Sequence, residues 1–350
     1  METNTNKKIG FHLEVSDFLP AEESEKQALV IMRESRSFFK DGINRLKRNP
    51  VAMASLTVII AVMIFAFIMP SFWPYTYKDQ IRGSENLGPM EYSSQEQSRI
   101  EAGESVFPHI LGTDILGRDY MVRTMMGSRI SLLVGIIASI LILIIGSIYG
   151  ASSAYFGGRV DMIMMRIVDI IYTIPDIMLI ILLSETLKTP IKSVAERFPF
   201  FEWINIVGVP LICIFIVFSL LYWVSMARIV RSQVLSIKEQ EYVTAARAMG
   251  ASHKRIILRH LLSNCVGTLI VMTTLQIPAS IFTESFLSFI GLGVSAPMPS
   301  LGSMAKEALS GVRSYPLRLI VPSILISLII LAFNLIGDGL RDAFDTKLKH

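Results

Sequence analysis

The chain has 350 residues, 52% of them hydrophobic and only 18% charged, with a mean hydropathy of +0.52. Soluble domains carry about a quarter charged residues, so a soluble enzyme of this size, a disordered chain and a coiled coil are all excluded. The two cysteines, Cys213 and Cys265, fall in or beside apolar stretches, which removes a disulfide-stapled secreted fold.

A crossing of the hydrocarbon core takes roughly 20 apolar residues at about 1.5 Å each. Six stretches qualify, at 51–69, 130–156, 167–183, 204–227, 266–292 and 319–337. Four of them hold no charge; 266–292 holds only Glu284, and 167–183 holds Asp169 and Asp176. One such stretch could be a buried core helix of a soluble protein, but six in one chain predict an all-α integral membrane protein with six transmembrane helices. Residues 1–50 form a polar segment with no apolar run near Met1, so no cleavable signal peptide is expected and the first span doubles as the targeting signal.

Orientation follows from Lys and Arg near the span ends. With both termini cytoplasmic, the inner stretches carry 17 basic residues in 79 positions and the outer ones 12 in 107. The inner side is richer, so both termini and the tail 338–350 are placed in the cytoplasm. The excursion 70–129 then lies outside, and its Pro, Gly and Asn residues, with Trp73 and Tyr75 at the interface, suggest a small extracytoplasmic cap.

The excursion 226–266 lies inside. Ser236-Ile237-Lys238-Glu239 fits a capping box, followed by a helix from Glu241 to Met249 and by Gly250, suited to a left-handed helix end. Ser252 can cap a second helix over 253–262, with Ile256, Ile257 and Leu261 on one face and Lys254, Arg255 and Arg259 on the other. Ala245, Ala246, Ala248 and Gly250 leave a surface that another protein can approach closely. As a pattern this fits a solvated membrane-surface loop, a partner-docking surface, or a helix-turn-helix with Arg247 and Arg255 on phosphates.

The run Ala245-Ala246-x-x-x-Gly250, ahead of the penultimate span, resembles the EAA loop of ABC importer permeases, and Glu241 to Ser252 is similar to the version in peptide importers. Thr244 stands where the triplet has glutamate, Glu241 lies three residues upstream as in the peptide branch, and the closing Leu-Pro is Leu262-Ser263. Two further runs resemble the dipeptide, oligopeptide and nickel group of these permeases. One is Leu111-Gly112-Thr113-Asp114-Ile115-Leu116-Gly117-Arg118-Asp119 before span two, by itself only a turn; the other runs from Glu284 through Gly293 to Gly302, with Leu301 where family members have Trp.

The resemblance covers about residues 45 to 345 and implies the type I importer permease fold, with 130–337 as a five-helix core. It implies that Glu241, Ala245, Ala246, Gly250, Ala251 and Arg255 form a coupling helix seated in an ATP-binding subunit. The implied partners are a homologous B-type permease, two ATP-binding subunits, an extracellular peptide-binding protein and membrane lipid, with no nucleic acid. The implied cargo is oligopeptide or dipeptide, or alternatively nickel or another small solute, carried across the plasma membrane of a bacterium or archaeon. No Gly-Lys dipeptide occurs, so the chain has no P-loop and is not expected to be an enzyme. ATP and magnesium belong to the partner subunits, and no cofactor is expected here.

Charged groups inside a membrane need a reason. Glu284 reads either as a polar lining of the translocation path or as a structural carboxyl bonded to a neighbouring helix, and Asp169 can pair with Arg166 one helical turn before it. A proton-coupled carrier using Glu284 or Asp176 is the rival from another class. Pro175 and Pro278 interrupt their spans, and Gly146-x-x-x-Gly150 permits close helix packing. The five histidines show no zinc-ligand spacing.

Overall fold

The computed structural model describes residues 38–201, 204, 208–294 and 296–344. Among these residues five helices are long and apolar enough to cross a membrane, and a further pair, bent by 88° at a short break, passes the same test only when taken together.

Helix α1, Phe38–Arg48, leads into α2, Pro50–Phe67. The Asn49 side chain accepts the amides of Val51 at 3.1 Å and Ala52 at 3.2 Å, and Pro50 takes the first helical position, where its missing N–H costs nothing. The cap that follows contains α3, Ser94–Glu101, started by a capping box between Ser93 and Glu96. The central helix α4, Tyr120–Phe156, starts at Asp119, whose carboxylate accepts the Val122 amide at 2.9 Å, and stops at Gly157.

Helices α5, Gly158–Thr173, and α6, Asp176–Arg197, are the bent pair. The sequence predicts one span over 167–183; the structure breaks it because the Pro175 ring disfavours helix at Ile174, which sits extended at φ −84° and ψ 134°. Pro278, by contrast, lies inside an unbroken helix. Helix α7 spans Val209–Ile237, α8 is Glu241–Ala248, α9 spans His253–Ile290, α10 is Leu301–Ala308 and α11 is Leu317–Phe344. Lipid-facing apolar surface needs no polar partner, so the packing between helices is set by small residues and polar contacts rather than by hydrophobicity.

The expected second loop helix 253–262 does not end. It runs through a π turn, Ile256–Leu261, and a 3-10 turn, Leu262–Cys265, into the span. Ser263 and Asn264 bridge this irregular stretch, Ser263 Oγ donating to Leu258 O at 3.2 Å and Asn264 Nδ2 to His260 O at 2.5 Å. The expected capping box at Ser236 is also absent. Helix α7 continues through that position, so the Ser236 hydroxyl turns back to the Gln233 carbonyl at 2.7 Å, and Gln240 occupies the N-cap of α8.

Helix α4 is the mast of the fold. At Gly146 an added Cβ would stand 2.6 Å from Met226 Cβ, and at Gly150 it would stand 2.3 Å from the Ala227 carbonyl oxygen. The Gly146-x-x-x-Gly150 pair is therefore occupied by α7 of the same chain and is not a face for a second copy. On another side Gly135 lies against Ile281 of α9. Helix α1 folds back on the end of α11, with Phe39 edge-on to Phe344 at 6.2 Å.

The Gly150 contact is backbone and cannot yield by rotating a side chain. Gly150→Ala is expected to cost about 1–3 kcal/mol by forcing α4 and α7 apart, read as a lower unfolding midpoint in detergent. Ile148→Ala, two residues away on an exposed face, should leave that midpoint nearly unchanged.

Candidate functional site

Helix α8 has two faces with different tasks. Val243 is buried in an apolar cluster with Tyr155, Val230, Val234, Ile256, Ile257 and Leu261, and Ala246 is buried on the same side of the helix. Glu241, Ala245, Ala248 and Gly250 lie on the exposed side together with Met249, which is 82% exposed, and Arg255 is exposed just beyond. Ala251 is half-buried. Ala246, expected with the docking residues, is 3% exposed and faces the chain's own core. Met249 is the large apolar group on the outer face, and its i+4 spacing from Ala245 was the signal for it.

Gly250 ends α8 at φ +78°, with its amide on the Arg247 carbonyl at 3.0 Å and the Ala251 amide on the Ala246 carbonyl at 3.0 Å. This is a Schellman arrangement, which needs a left-handed residue at the turn. No atom lies within 4 Å of an added Cβ there, so the glycine is required by conformation and not by crowding inside this chain.

The loop is tied to three spans. Tyr155, at the end of α4, has its hydroxyl 2.8 Å from His253 Nδ1, and the Arg247 guanidinium lies 5.5 Å from the Tyr155 ring centre. Lys238 Nζ donates to the Ala154 carbonyl at 3.2 Å, and Asn264 Nδ2 donates to the Tyr242 hydroxyl at 3.1 Å. Beside these, Arg231 holds Asp161 of α5 through two 2.6 Å bonds, and Ser153 of α4 donates to the same carboxylate at 2.5 Å. Arg228 pairs with Asp169 at 2.8 Å. Asp169 was expected to bond Arg166; Arg228 holds it instead, and its guanidinium also stacks 4.2 Å from the Tyr172 ring centre. No local pattern could reveal these ties, since Asp161 and Arg231 are 70 residues apart.

Glu284 is 0% exposed within this chain. Its carboxyl accepts from Ser131 of α4 at 2.9 Å, Ser288 at 2.7 Å and Ser285 at 3.4 Å. Ser131 Oγ accepts the Leu301 amide at 3.3 Å in turn, and Ser288 Oγ accepts the Val294 amide at 3.0 Å. One carboxyl thereby joins α9, α4 and the first turn of α10.

At the other end of the bundle the cap has a polar core. His109 is fully buried with Nδ1 2.8 Å from Asp119 Oδ2, Nε2 3.1 Å from Glu96 Oε1, and Tyr75 stacked on its ring at 4.5 Å. Burial alone would lower the His109 pKa. The hydrogen bonds and charges of Asp119 and then Glu96 outweigh it and hold the imidazole above its ordinary value. Tyr75 is pushed up to about 12, by burial first and then by the same two carboxylates. Trp73 donates to Asp119 at 3.2 Å, so both predicted interface aromatics serve this core.

The Gly112-Thr113-Asp114 turn performs a bracing role. Asp114 accepts from Arg118 Nε at 2.6 Å and from Arg123, and Glu307 of α10 accepts from Arg123 at 2.8 and 3.1 Å. Burial pushes the Asp114 carboxyl up, but Arg123, the amides of Arg118 and Leu116, and the Arg118 charge bring it below the usual carboxylate range. Arg318 of α11 donates to Asn86 at 2.8 Å and to the Thr113 carbonyl at 2.5 Å, so the cap is pinned to three helices. Among the described residues no cluster of three or more His, Cys, Asp or Glu side chains is arranged to hold a metal ion.

Residues 142–350 match the family model described as binding-protein-dependent transport system inner membrane component, and residues 37–89 match the N-terminal TM domain of oligopeptide transport permease C. The chain is 38% identical to the oligopeptide transport system permease protein OppC of Bacillus subtilis (strain 168), over 95% of this chain and 97% of that protein. It is 40% identical to the dipeptide transport system permease protein DppC of the same organism, over 97% and 95% respectively. A solved structure of the MetNI methionine ABC transporter in inward-facing conformations is 16% identical and covers 64% of this chain and 96% of that one, with a TM-score of 0.48.

Two measurements check the polar sites. Glu284→Leu strands the Ser131 and Ser288 hydroxyls and is expected to cost about 1–3 kcal/mol in detergent unfolding, whereas Glu284→Gln, which still accepts, should lose much less. The cap should tighten in acid, because a raised folded-state pKa contributes stability that is complete below the unfolded histidine pKa and is lost as pH rises through the folded one. Limited proteolysis across 84–119 should therefore accelerate from pH 6 to pH 9, with the acceleration absent in His109→Gln.

Proposed function

This chain belongs to the binding-protein-dependent transport system inner membrane component family, and on that premise we propose that it is one transmembrane subunit of an ATP-driven importer of oligopeptides or dipeptides. Permeases of the family work with ATP-binding subunits and a paired permease, so the chain itself needs no nucleotide site. The finer assignment is a homologous B-type permease beside it, two ATP-binding subunits on the cytoplasmic face, and an extracellular peptide-binding protein that delivers cargo. The relatives in Bacillus subtilis carry oligopeptide and dipeptide transport in their names over nearly the whole of this chain, which favours peptide over nickel. Family membership also sets aside a stand-alone proton carrier.

The observation that carries the coupling assignment is the exposed outer face of α8 on a helix whose inner face is locked to the chain's own core. Glu241, Ala245, Gly250, Ala251 and Arg255 lie around that face, with Met249 as its apolar centre. In this reading the ATP-binding subunits close on nucleotide and carry α8 with them. Arg247 over the Tyr155 ring, the Tyr242–Asn264 bond and the packing of Val243 on Val230 and Val234 pass the displacement to α4, α9 and α7. Helix α9 continues from the loop, through its π and 3-10 turns, into the regular α-helix Val266–Ile290, about 37 Å long at the α-helical rise, so motion at α8 is delivered across the membrane. The bundle turns outward to receive peptide, and hydrolysis returns it. Glu284 serves in this scheme as the bolt between α4, α9 and α10 and not as a path lining, because its bonds are all internal to the chain.

The test uses the assembled transporter in vesicles with a labelled peptide. Met249→Asp, which changes only an exposed side chain, is expected to abolish uptake while leaving the chain folded and membrane-inserted. Gly250→Asn keeps a residue that tolerates the left-handed turn, so uptake should largely survive, whereas Gly250→Val, which cannot adopt that turn without strain, should lose it. Normal uptake by Met249→Asp would remove α8 from the coupling role.

A further inference from the structure

The break between α5 and α6 opens a cavity of about 440 Å³, within the size range of small-molecule sites. Its polar lining comes from three crossings: Tyr172, Thr173 and Asp176 at the break, Tyr222 and Ser225 near the middle of α7, and Gln276 in α9. The lining residues lie within the apolar crossing stretches, where polar groups are costly and call for a use.

Asp176 differs from the other carboxylates of these helices. Asp161 is held by Arg231 and Ser153, Asp169 by Arg228, and Glu284 by three serines. Asp176 accepts only the amide of its neighbour Ile177, at 2.9 Å, and has no ion pair among the described residues. The nearby cation, Arg228, is committed to Asp169 and to the Tyr172 ring. Asp176 is also the first residue of a 22-residue helix. The free amides of that first turn stabilise a negative charge without neutralising it through a side chain. Helix α5 ends on the other side of the break, and a helix C-terminus carries partial negative charge. The result is a cavity that attracts a cation and supplies none of its own.

We propose that Asp176 and the cavity at the α5–α6 break form a way-station for the cationic group of the cargo, the protonated amino terminus of a peptide in transit. The proposal rests on the importer reading above. The carboxylate takes the ammonium as a charge-assisted hydrogen bond, while the hydroxyls of Thr173 and Ser225 and the amide of Gln276 offer partners to peptide groups next to it. A counter-charge of this kind within an apolar crossing stretch lowers the cost of bringing an ammonium away from water. It does not alter which peptide the delivery protein presents.

The test compares one short peptide with its N-acetylated form, which lacks the ammonium, in vesicles holding the complete transporter and the same delivery protein. Wild type, Asp176→Asn and Asp176→Glu are measured side by side, with peptide-stimulated ATP hydrolysis as a check on assembly. Asp176→Asn is expected to lower uptake of the free peptide about tenfold, the loss of one charge-assisted hydrogen bond, and to leave uptake of the acetylated peptide nearly unchanged. Asp176→Glu should restore the difference. An equal effect on both peptides would mean that Asp176 only shapes the helix break and would overturn the proposal. So would an unchanged ratio in Asp176→Asn. Failure of the wild type to import any peptide would instead bring down the importer reading, and the way-station with it.

Discussion

The close approach of α7 to α4 at Gly146 and Gly150 is the constraint on which the remaining contacts depend, because it fixes the one helix that touches nearly everything else. Along α4 each level carries its own tie. Asp119 caps the helix and holds His109, and Arg123 reaches Asp114 and Glu307. Arg129 donates to the Ala66 carbonyl at 2.9 Å and to Phe67 at 3.1 Å, satisfying the end of α2. Ser131 holds Glu284, Ser153 holds Asp161, and Tyr155 meets His253. A shift of α4 against α7 would put all of these out of register together.

Lipid gives little hydrophobic reason for one apolar helix to prefer another, so the bundle is specified by glycine contacts and by polar groups with nowhere else to go. Those polar groups are graded by position. In the buried middle, Glu284 is matched by neutral hydroxyls, an arrangement that satisfies a carboxyl without burying an opposite charge. Toward the loop end, where water is near, Asp161 and Asp169 use guanidinium partners on α7. Outside, the cap uses a dense set of buried charges around Arg123, whose cost is met by bidentate bonding to Glu307 and by Asp114.

The spans were legible because they depend on composition and length, and the Gly250 turn was legible because a left-handed residue there has one cheap solution. The site was half legible. Glu241, Ala245 and Gly250, singled out by the family resemblance, lie on the exposed face of α8, while Ala246, one residue along, points inward, since helical periodicity fixes relative faces but not which face the core takes. Pro175 announced a break, but a proline by itself does not fix the angle, which is 88°. Asp169 chose Arg228 over Arg166 because a guanidinium from another helix could also stack on Tyr172, a gain that no in-helix pairing offered. The His109 cluster was invisible for the same reason: Glu96, His109 and Asp119 are ordinary loop residues until the cap closes and leaves the imidazole between two carboxylates.

These points bear on how a small loop helix can move a whole bundle. Helix α8 is eight residues long and could not hold its shape alone in water. Its inner face is buried with the ends of three crossings, and its C-terminal turn is closed by two backbone bonds, so a push on Met249 is carried by the chain and not absorbed by the loop. The one irregular stretch in the line of force is 256–265, where the α-helical ladder gives way to π and 3-10 turns. There the side chains of Ser263 and Asn264 bond carbonyls that the irregular turns leave exposed, and Asn264 also reaches Tyr242 on α8. The place where α9 is softest is therefore the place where it is bonded to the loop helix, so bending at that point stays coupled to the position of α8.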